Sequence, residues 1–265
     1  MSGSPREPTQ FDATMVARLD KMYASPQAVA QRAKFRELLA ARPGETGVDV
    51  GCGLGHLLCE LARDVAPDGR IIGLDASPDM VSASISRMEN ESLTDCAEAR
   101  LGNAVVLDLP DESADFVVVV QVYSYVQDVL RAIQEAARVL RKGGRLAILE
   151  TDWDMCVYES KDQSLTRRIL DGQWRFAHSH LPRQLHRLFR ESGLTLARCE
   201  VFPIIETQYD TGSFGASLVA IARDAAVRHG VDPAEADDWA ADIRARSRNG
   251  EYFFCTNRFI FIATK

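Results

Sequence analysis

The sequence predicts an α/β protein built on a doubly wound, mostly parallel sheet of seven strands, with an antiparallel C-terminal strand. Three observations predict it. Short apolar runs alternate with segments of helical apolar spacing from residue 46 to about residue 150. One run, Asp115-Phe-Val-Val-Val-Val-Gln-Val122, shows no in-and-out alternation, as expected of a central strand covered by helices on both faces. Gly51, Gly53 and Gly55 stand where the first strand turns into a helix, the position of the ligand crevice in open α/β sheets.

The elements follow in order. Residues 1–10 have no apolar core and read as a disordered leader. Residues 11–42 form a helical cap: Met15, Leu19 and Met22, then Val29, Ala33, Phe35, Leu38 and Leu39 keep helical spacing, and Ser25-Pro26 splits the cap into two helices. Arg42-Pro43-Gly44 stops the second helix before the strand Gly47-Val-Asp-Val50. A helix carrying Leu57, Leu58, Leu61, Ala62 and Val65 ends at Pro67-Asp-Gly69, and the strand Arg70-Ile-Ile-Gly-Leu-Asp75 comes next. Ser77-Pro78 caps a helix to about Asn90, followed by a weaker strand near 98–101 and the apolar run from Asp115. A helix from Val129 to Leu140 leads through Lys142-Gly143-Gly144 into the strand Arg145-Leu-Ala-Ile-Leu-Glu150. In the last third, Pro182 to Ser192 reads as a helix, and Leu196–Thr207 and Glu251–Thr264 read as strands. The predicted organisation is one domain over 1–265, with its core in 46–212 and 249–265 and a two-helix insert, or lid, at 213–248.

Composition narrows the function classes. A chain of 265 residues with 46% hydrophobic and 26% charged residues suits one globular domain. A net charge of −7 leaves no basic footprint for nucleic acid, and no apolar run approaches the roughly 18 residues of a membrane span. Six cysteines, none at C-x-x-C spacing, read as reduced thiols of a cytoplasmic protein, and no metal-ligand set stands out.

The glycine loop carries the first functional signal. A dinucleotide site wants G-x-G-x-x-G, and His56 stands where its third glycine would be. The loop reads G-x-G-x-G instead, with Asp49 before it and Asp75 ending the second strand, where a carboxylate can accept from ribose hydroxyls.

These residues resemble the class I S-adenosylmethionine-dependent methyltransferases, in particular their ubiquinone/menaquinone-type small-molecule branch, and the resemblance covers most of the chain up to about Asp152. Asp49-Val-Gly-Cys-Gly-Leu-Gly55 is similar to the motif that wraps the methionine part of the cofactor, and Gly73-Leu-Asp-Ala-Ser77 to the ribose-binding motif. Gly102-Asn-Ala104 resembles the adenine segment, with Asn103 where the family usually has Asp; its carbonyl can still accept from the adenine amino group. Leu140-Arg-Lys-Gly-Gly-Arg-Leu146 is similar to the turn before the fifth strand, and Tyr23-Ala-Ser-Pro26 with Gln31-Arg32 to the N-terminal cap of this branch. The resemblance implies a Rossmann-like fold and S-adenosylmethionine held by Tyr23, Arg32, Asp49, Gly51, Gly53, Gly55, Asp75, Ala76, Met80, Asn103, Ala104 and Gln121. Tyr23 should cover the site, and Arg32 should approach the cofactor carboxylate.

The acceptor is expected to be a small, cyclic or aromatic metabolite, and a homodimer is left open. Methyl transfer from a sulfonium needs alignment more than a fixed catalytic motif. The D/N-P-P-Y/F/W motif of nucleic-acid amino methylation is absent after the fourth strand, where Gln121-Val-Tyr-Ser-Tyr125 stands. Tyr125, Trp153, Tyr158 and Phe214, together with Tyr23, are the candidate substrate-binding residues. His180, His178 and Asp152 are the candidate proton-transfer groups, since histidine titrates near neutrality. Two alternatives accompany this reading: an arsenite methyltransferase using Cys59, Cys156 and Cys199, and a cofactor-binding module without catalysis.

Overall fold

The computed structural model describes residues 13–173 and 177–265. The leader expected at 1–10, and Trp174 and Phe176 ahead of the histidine pair, lie outside the described residues. The cap consists of α1 (Ala13–Tyr23) and α2 (Pro26–Leu39). They are separate helices because Ser25 Oγ accepts the Ala28 N–H at 3.3 Å and Pro26 begins the second helix.

The alternating core comprises β1 (Thr46–Val50), α3 (His56–Val65), β2 (Arg70–Asp75), α4 (Pro78–Asn90), β3 (Ala97–Leu101), β4 (Ala114–Val120), α5 (Val129–Val139) and β5 (Leu140–Thr151). After it come β6 (Val157–Tyr158), α6 (Gln163–Gln173), α7 (Pro182–Glu191), β7 (Thr195–Glu206), α8 (Phe214–Arg228), α9 (Pro233–Arg248) and β8 (Phe254–Thr264). The sheet order is β3-β2-β1-β4-β5-β8, with β7 on the far edge of β8. The pairs from β3 to β5 are parallel, and β8 alone runs antiparallel, against β5, β6 and β7.

The fold class is the expected one, but among the described residues the sheet has eight strands rather than seven. The addition is β6, two residues that take up Cys255 and Phe254 on the edge of β8 where β5 stops at Arg258. Residues 152–156 leave the sheet between them, and Trp153–Met155 forms a single 3₁₀ turn. The helix α6 was not foreseen, although Leu165 and Ile169 are spaced one turn apart and Asp162 Oδ1 accepts the Leu165 N–H at 2.8 Å.

Burial explains why β4 reads as unbroken apolar sequence. Val117 and Val119 enter the core under α5 and α7, while Phe116 and Val118 enter the opposite core under α2 and α3. Each such side chain, fully buried, contributes roughly 1.5–3 kcal/mol. A third cluster joins α6, α8, α9 and β6 to Met22 of α1, so the insert has a core of its own. Glu206, at the end of β7, ties it down: its carboxylate accepts from Ser213 Oγ at 2.7 Å, Gly215 N at 3.0 Å and Tyr252 Oη at 3.4 Å.

Candidate active site

The carboxyl ends of β1, β4 and β5 and the amino end of β8 share one edge of the sheet. At β1, Gly51, Gly53 and Gly55 take φ of 75°, 52° and 78°, a left-handed region that costs other residues roughly 1–2 kcal/mol each. A Cβ on Gly51 would strike the Val122 side chain, and one on Gly55 would meet Ser84 Oγ at 2.5 Å. Gly53 differs. A Cβ there would meet nothing within 4 Å, so its bare side is open to a ligand.

The loop is held by the acid ending β2. Asp75 Oδ2 accepts the Gly53 N–H and Oδ1 the Ser77 N–H, both at 2.9 Å. Ser77, not Asp75, caps α4, accepting from Met80 N at 3.4 Å. Asp75 therefore keeps acceptor capacity on a half-buried carboxylate, as a diol partner requires. Beneath the loop, Asp49 is buried and its Oδ2 has no hydrogen-bond partner among the described residues. Burial, and then the charge of Asp75, pushes the Asp49 carboxyl up to about 7. An orphaned acid, an open glycine and a diol acceptor in sequence fit a nucleoside bearing a cationic amino-acid tail.

The remaining cofactor candidates surround this loop unevenly. Ala76 is exposed, Met80 is buried at the start of α4, and Ala104 packs against the core. Asn103 is exposed, and its side-chain carbonyl already accepts the Val105 N–H at 3.0 Å, leaving one lone pair for an adenine contact. Gln121 lies just past β4 with φ of 58°, a strained setting for a non-glycine residue, and its Oε1 accepts from Thr151 Oγ1 at 3.1 Å.

Arg32 departs from expectation. Its Nε donates to Glu60 at 2.9 Å and its Nη1 to the Tyr23 carbonyl at 2.7 Å, so it secures the end of α1 rather than reaching toward a ligand carboxylate. Tyr23 is thereby held between the two halves of the cleft. Burial raises its phenol pKa, and Arg258, Asp75 and Arg32 lie close enough for their charges to act on it.

Over β5 and β8 the site is made of side chains. Arg258 is buried on β8, directly opposite Thr151, with its guanidinium 5.8 Å from the Trp153 ring and 4.8 Å from the Phe214 ring. Trp153 and Phe214 thus flank Arg258, and Tyr125 stands near enough for its charge to act on it. Tyr158 is a correction: fully packed against Trp239 and Phe254, it donates to the Gly215 carbonyl at 2.8 Å and belongs to the core of the insert.

Asp152 also departs from its expected role as a free base. It is buried and takes Arg183 Nε at 2.5 Å, Arg183 Nη2 at 2.9 Å and His180 Nδ1 at 3.3 Å. Asp152, Asp154 and His180 converge within 4.8 Å, and the Arg183 guanidinium pairs with both acids. His178 is turned toward the Gln127 carbonyl at 3.2 Å, away from this acid pair. His180 stays beside Asp152 with 41% of its side chain exposed.

Sequence reasoning missed Arg258 and Glu150. Glu150 ends β5, fully buried; its Oε1 accepts the N–H groups of Val122 at 3.1 Å and Ser124 at 3.3 Å, and Oε2 has no partner. Burial pushes its carboxyl up to about 7. The available signal was positional: a charged residue interrupting each of two apolar strands at the ligand end of the sheet.

The three cysteines proposed for arsenic do not meet. Cys59 is in the core under α3, Cys156 is in the insert's core, and Cys199 is exposed on β7. Burial pushes the Cys59 and Cys156 thiols up to about 12, far from the thiolate form.

Residues 48–148 match the family model described as a methyltransferase domain. An uncharacterized 37.1 kDa protein in a transposon of Streptomyces fradiae is 37% identical over 185 residues, which are 68% of this chain and 52% of that protein. A demethylmenaquinone methyltransferase of Symbiobacterium thermophilum is 29% identical over 218 residues, 72% of this chain and 87% of the relative. The chain thus spans about half the length of the first relative and most of the second. A phosphoethanolamine N-methyltransferase of Haemonchus contortus, solved with S-adenosyl-L-methionine, shares the fold at a TM-score of 0.63 and 15% identity, covering 98% of this chain and 58% of its own.

Proposed function

We propose that this chain, a member of the class I S-adenosylmethionine-dependent methyltransferases of the quinone-biosynthesis type, transfers a methyl group to O, N or C of a small cyclic or aromatic metabolite. The observation that carries the reading is the β1–β2 turn, where the open Gly53, the unpartnered oxygen of buried Asp49 and the carboxylate of Asp75 stand together. Asp49 suits the ammonium of a methionine tail, Gly53 lets backbone approach it, and Asp75 suits ribose hydroxyls.

S-adenosylmethionine, when bound, supplies an already activated methyl on a sulfonium. The chain's own work is therefore alignment and exclusion of water, and alignment can contribute up to roughly 7–11 kcal/mol in ideal systems. Tyr23 closes the cleft between cofactor and acceptor. Trp153 and Phe214 supply flat apolar walls, which favour a ring-shaped acceptor over a nucleic acid on this acidic chain. His180, oriented by Asp152, is the candidate proton acceptor, worth roughly 10²–10⁴-fold where the nucleophile must lose a proton.

Calorimetry with S-adenosylhomocysteine tests the site. Asp75→Ala is expected to weaken binding at least about tenfold, equal to about 1.4 kcal/mol. Unchanged affinity in a folded variant would sink the assignment. Release of S-adenosylhomocysteine across a panel of ring-containing metabolites separates an enzyme from a binding module.

A further inference from the structure

Arg258 has no place in the cofactor site, and its burial demands an account. It is 4% exposed, yet its Nε and Nη1 have no hydrogen-bond partner, and no salt bridge reaches it among the described residues. Buried charges are ordinarily paired, because leaving one unpaired in a low-dielectric interior costs several kcal/mol. The Trp153 and Phe214 rings recover part of that through cation–π contact, but they hydrogen-bond to neither nitrogen. Burial lowers the Arg258 pKa to about 10, which still leaves it charged at neutral pH.

Its neighbourhood repeats the pattern. Thr256, two residues earlier on the same face of β8, is fully buried with Oγ1 unpartnered. Glu150 is near enough to act on Arg258 electrostatically, but its Oε1 is taken by the Val122 and Ser124 N–H groups, and among the described residues its free Oε2 makes no ion pair with the guanidinium. The acid and the glycine of the β1 turn lie on a separate part of the sheet. In the order β1-β4-β5-β8, Arg258 lies three strands from Asp49 and Gly53, about 14 Å at ordinary strand spacing.

We infer that Arg258 is the anchor for an anionic oxygen group on the methyl acceptor, of the carboxylate type, with Thr256 as an added donor and the Trp153 and Phe214 rings flanking the guanidinium. The inference rests on the methyltransferase reading and narrows its acceptor class from ring-shaped metabolites to acidic ones. A charged donor that meets its partner only when the acceptor arrives also explains why the site tolerates the cost: the acceptor's own charge completes the pair.

The test uses the full chain saturated with S-adenosylhomocysteine, and benzoate and benzamide as a matched pair of probes that differ in charge. Benzoate is expected to raise the melting temperature by about 2 °C or more, and benzamide to leave it unchanged. Arg258→Met should melt no lower than the parent, because it removes an unpaired buried charge, should hold S-adenosylhomocysteine within about twofold, and should lose the benzoate effect. Arg258→Lys should keep part of it. Equal effects of the two probes, no effect of either, or a benzoate effect that survives in Arg258→Met would each overturn the anchor. Failure of S-adenosylhomocysteine to bind the parent chain would instead remove the methyltransferase reading, so the two failures are distinguishable.

Discussion

The two halves of the cleft are built from different materials. Over β1 and β2, the contacts come from backbone groups and from carboxylates within a stretch of 27 residues, Asp49 to Asp75. Over β5 and β8, they come from Trp153, Phe214 and Arg258, side chains brought together across more than 100 residues. The first half is a turn shaped by its own backbone; the second is a group of side chains that comes together only once the insert has packed. One half can therefore be fixed by local geometry, while the other depends on tertiary assembly and is free to vary in chemistry.

The largest expected effect bears on the backbone half. Gly53→Val fills the open side of the loop and forces a β-branched residue to φ of 52°. S-adenosylhomocysteine affinity should fall by about 100-fold or more, about 2.7 kcal/mol, as read by calorimetry. Retained affinity would break the division, because the ligand would then have to lie elsewhere.

Next is the attachment of the pocket half. Glu206→Ala strands the donors of Ser213, Gly215 and Tyr252, at a cost of about 3 kcal/mol. The insert should become protease-sensitive while S-adenosylhomocysteine still binds. If binding falls equally, the halves form one cooperative unit and the comparison needs redrawing.

A pH-dependent effect belongs to both halves at once. Asp49 and Glu150 have carboxyls raised to about 7 by burial, whereas unfolded carboxyls titrate near about 4. Between those values the folded chain holds more protons than the unfolded one, so stability should fall as pH rises through that window and level off above about 7. Melting curves of the ligand-free chain from about pH 5 to about pH 8 should show the fall, and Asp49→Asn with Glu150→Gln should flatten it. A rise with pH would mean that other groups dominate.

The smallest effect is at the adenine end. Asn103 spends one lone pair on Val105, so Asn103→Ala should weaken S-adenosylhomocysteine by about two- to threefold, about 0.5 kcal/mol. A tenfold loss would make Asn103 a principal contact.

The same contrast explains what could be read from the chain alone. Ser25-Pro26, Ser77-Pro78 and Asp232-Pro233 announce helix starts because capping is decided by two or three adjacent residues. The glycine loop and Asp75 were legible for the same reason. Arg258 was not: within Phe254-Cys-Thr-Asn-Arg-Phe259 it reads as one polar residue of a strand, and its burial is imposed by Trp153 and Phe214. Arg32 shows the converse error, a motif residue whose partner, Glu60 on the facing helix, redirects it. The two-residue β6 carries no periodicity to detect and exists only because β8 continues past the end of β5.

That continuation has a consequence for how such a protein can change. Thr151 sits opposite Arg258 and Val157 opposite Cys255, so residues 152–156 span a gap that only residues 256–257 face on the other strand. The sheet is pinned on both sides of the excursion, and residues can be added or removed there without sliding either flank out of register. The segment that carries Trp153 is in effect an adjustable fitting on a fixed frame, the place where chain length can change while both strand pairings keep their register.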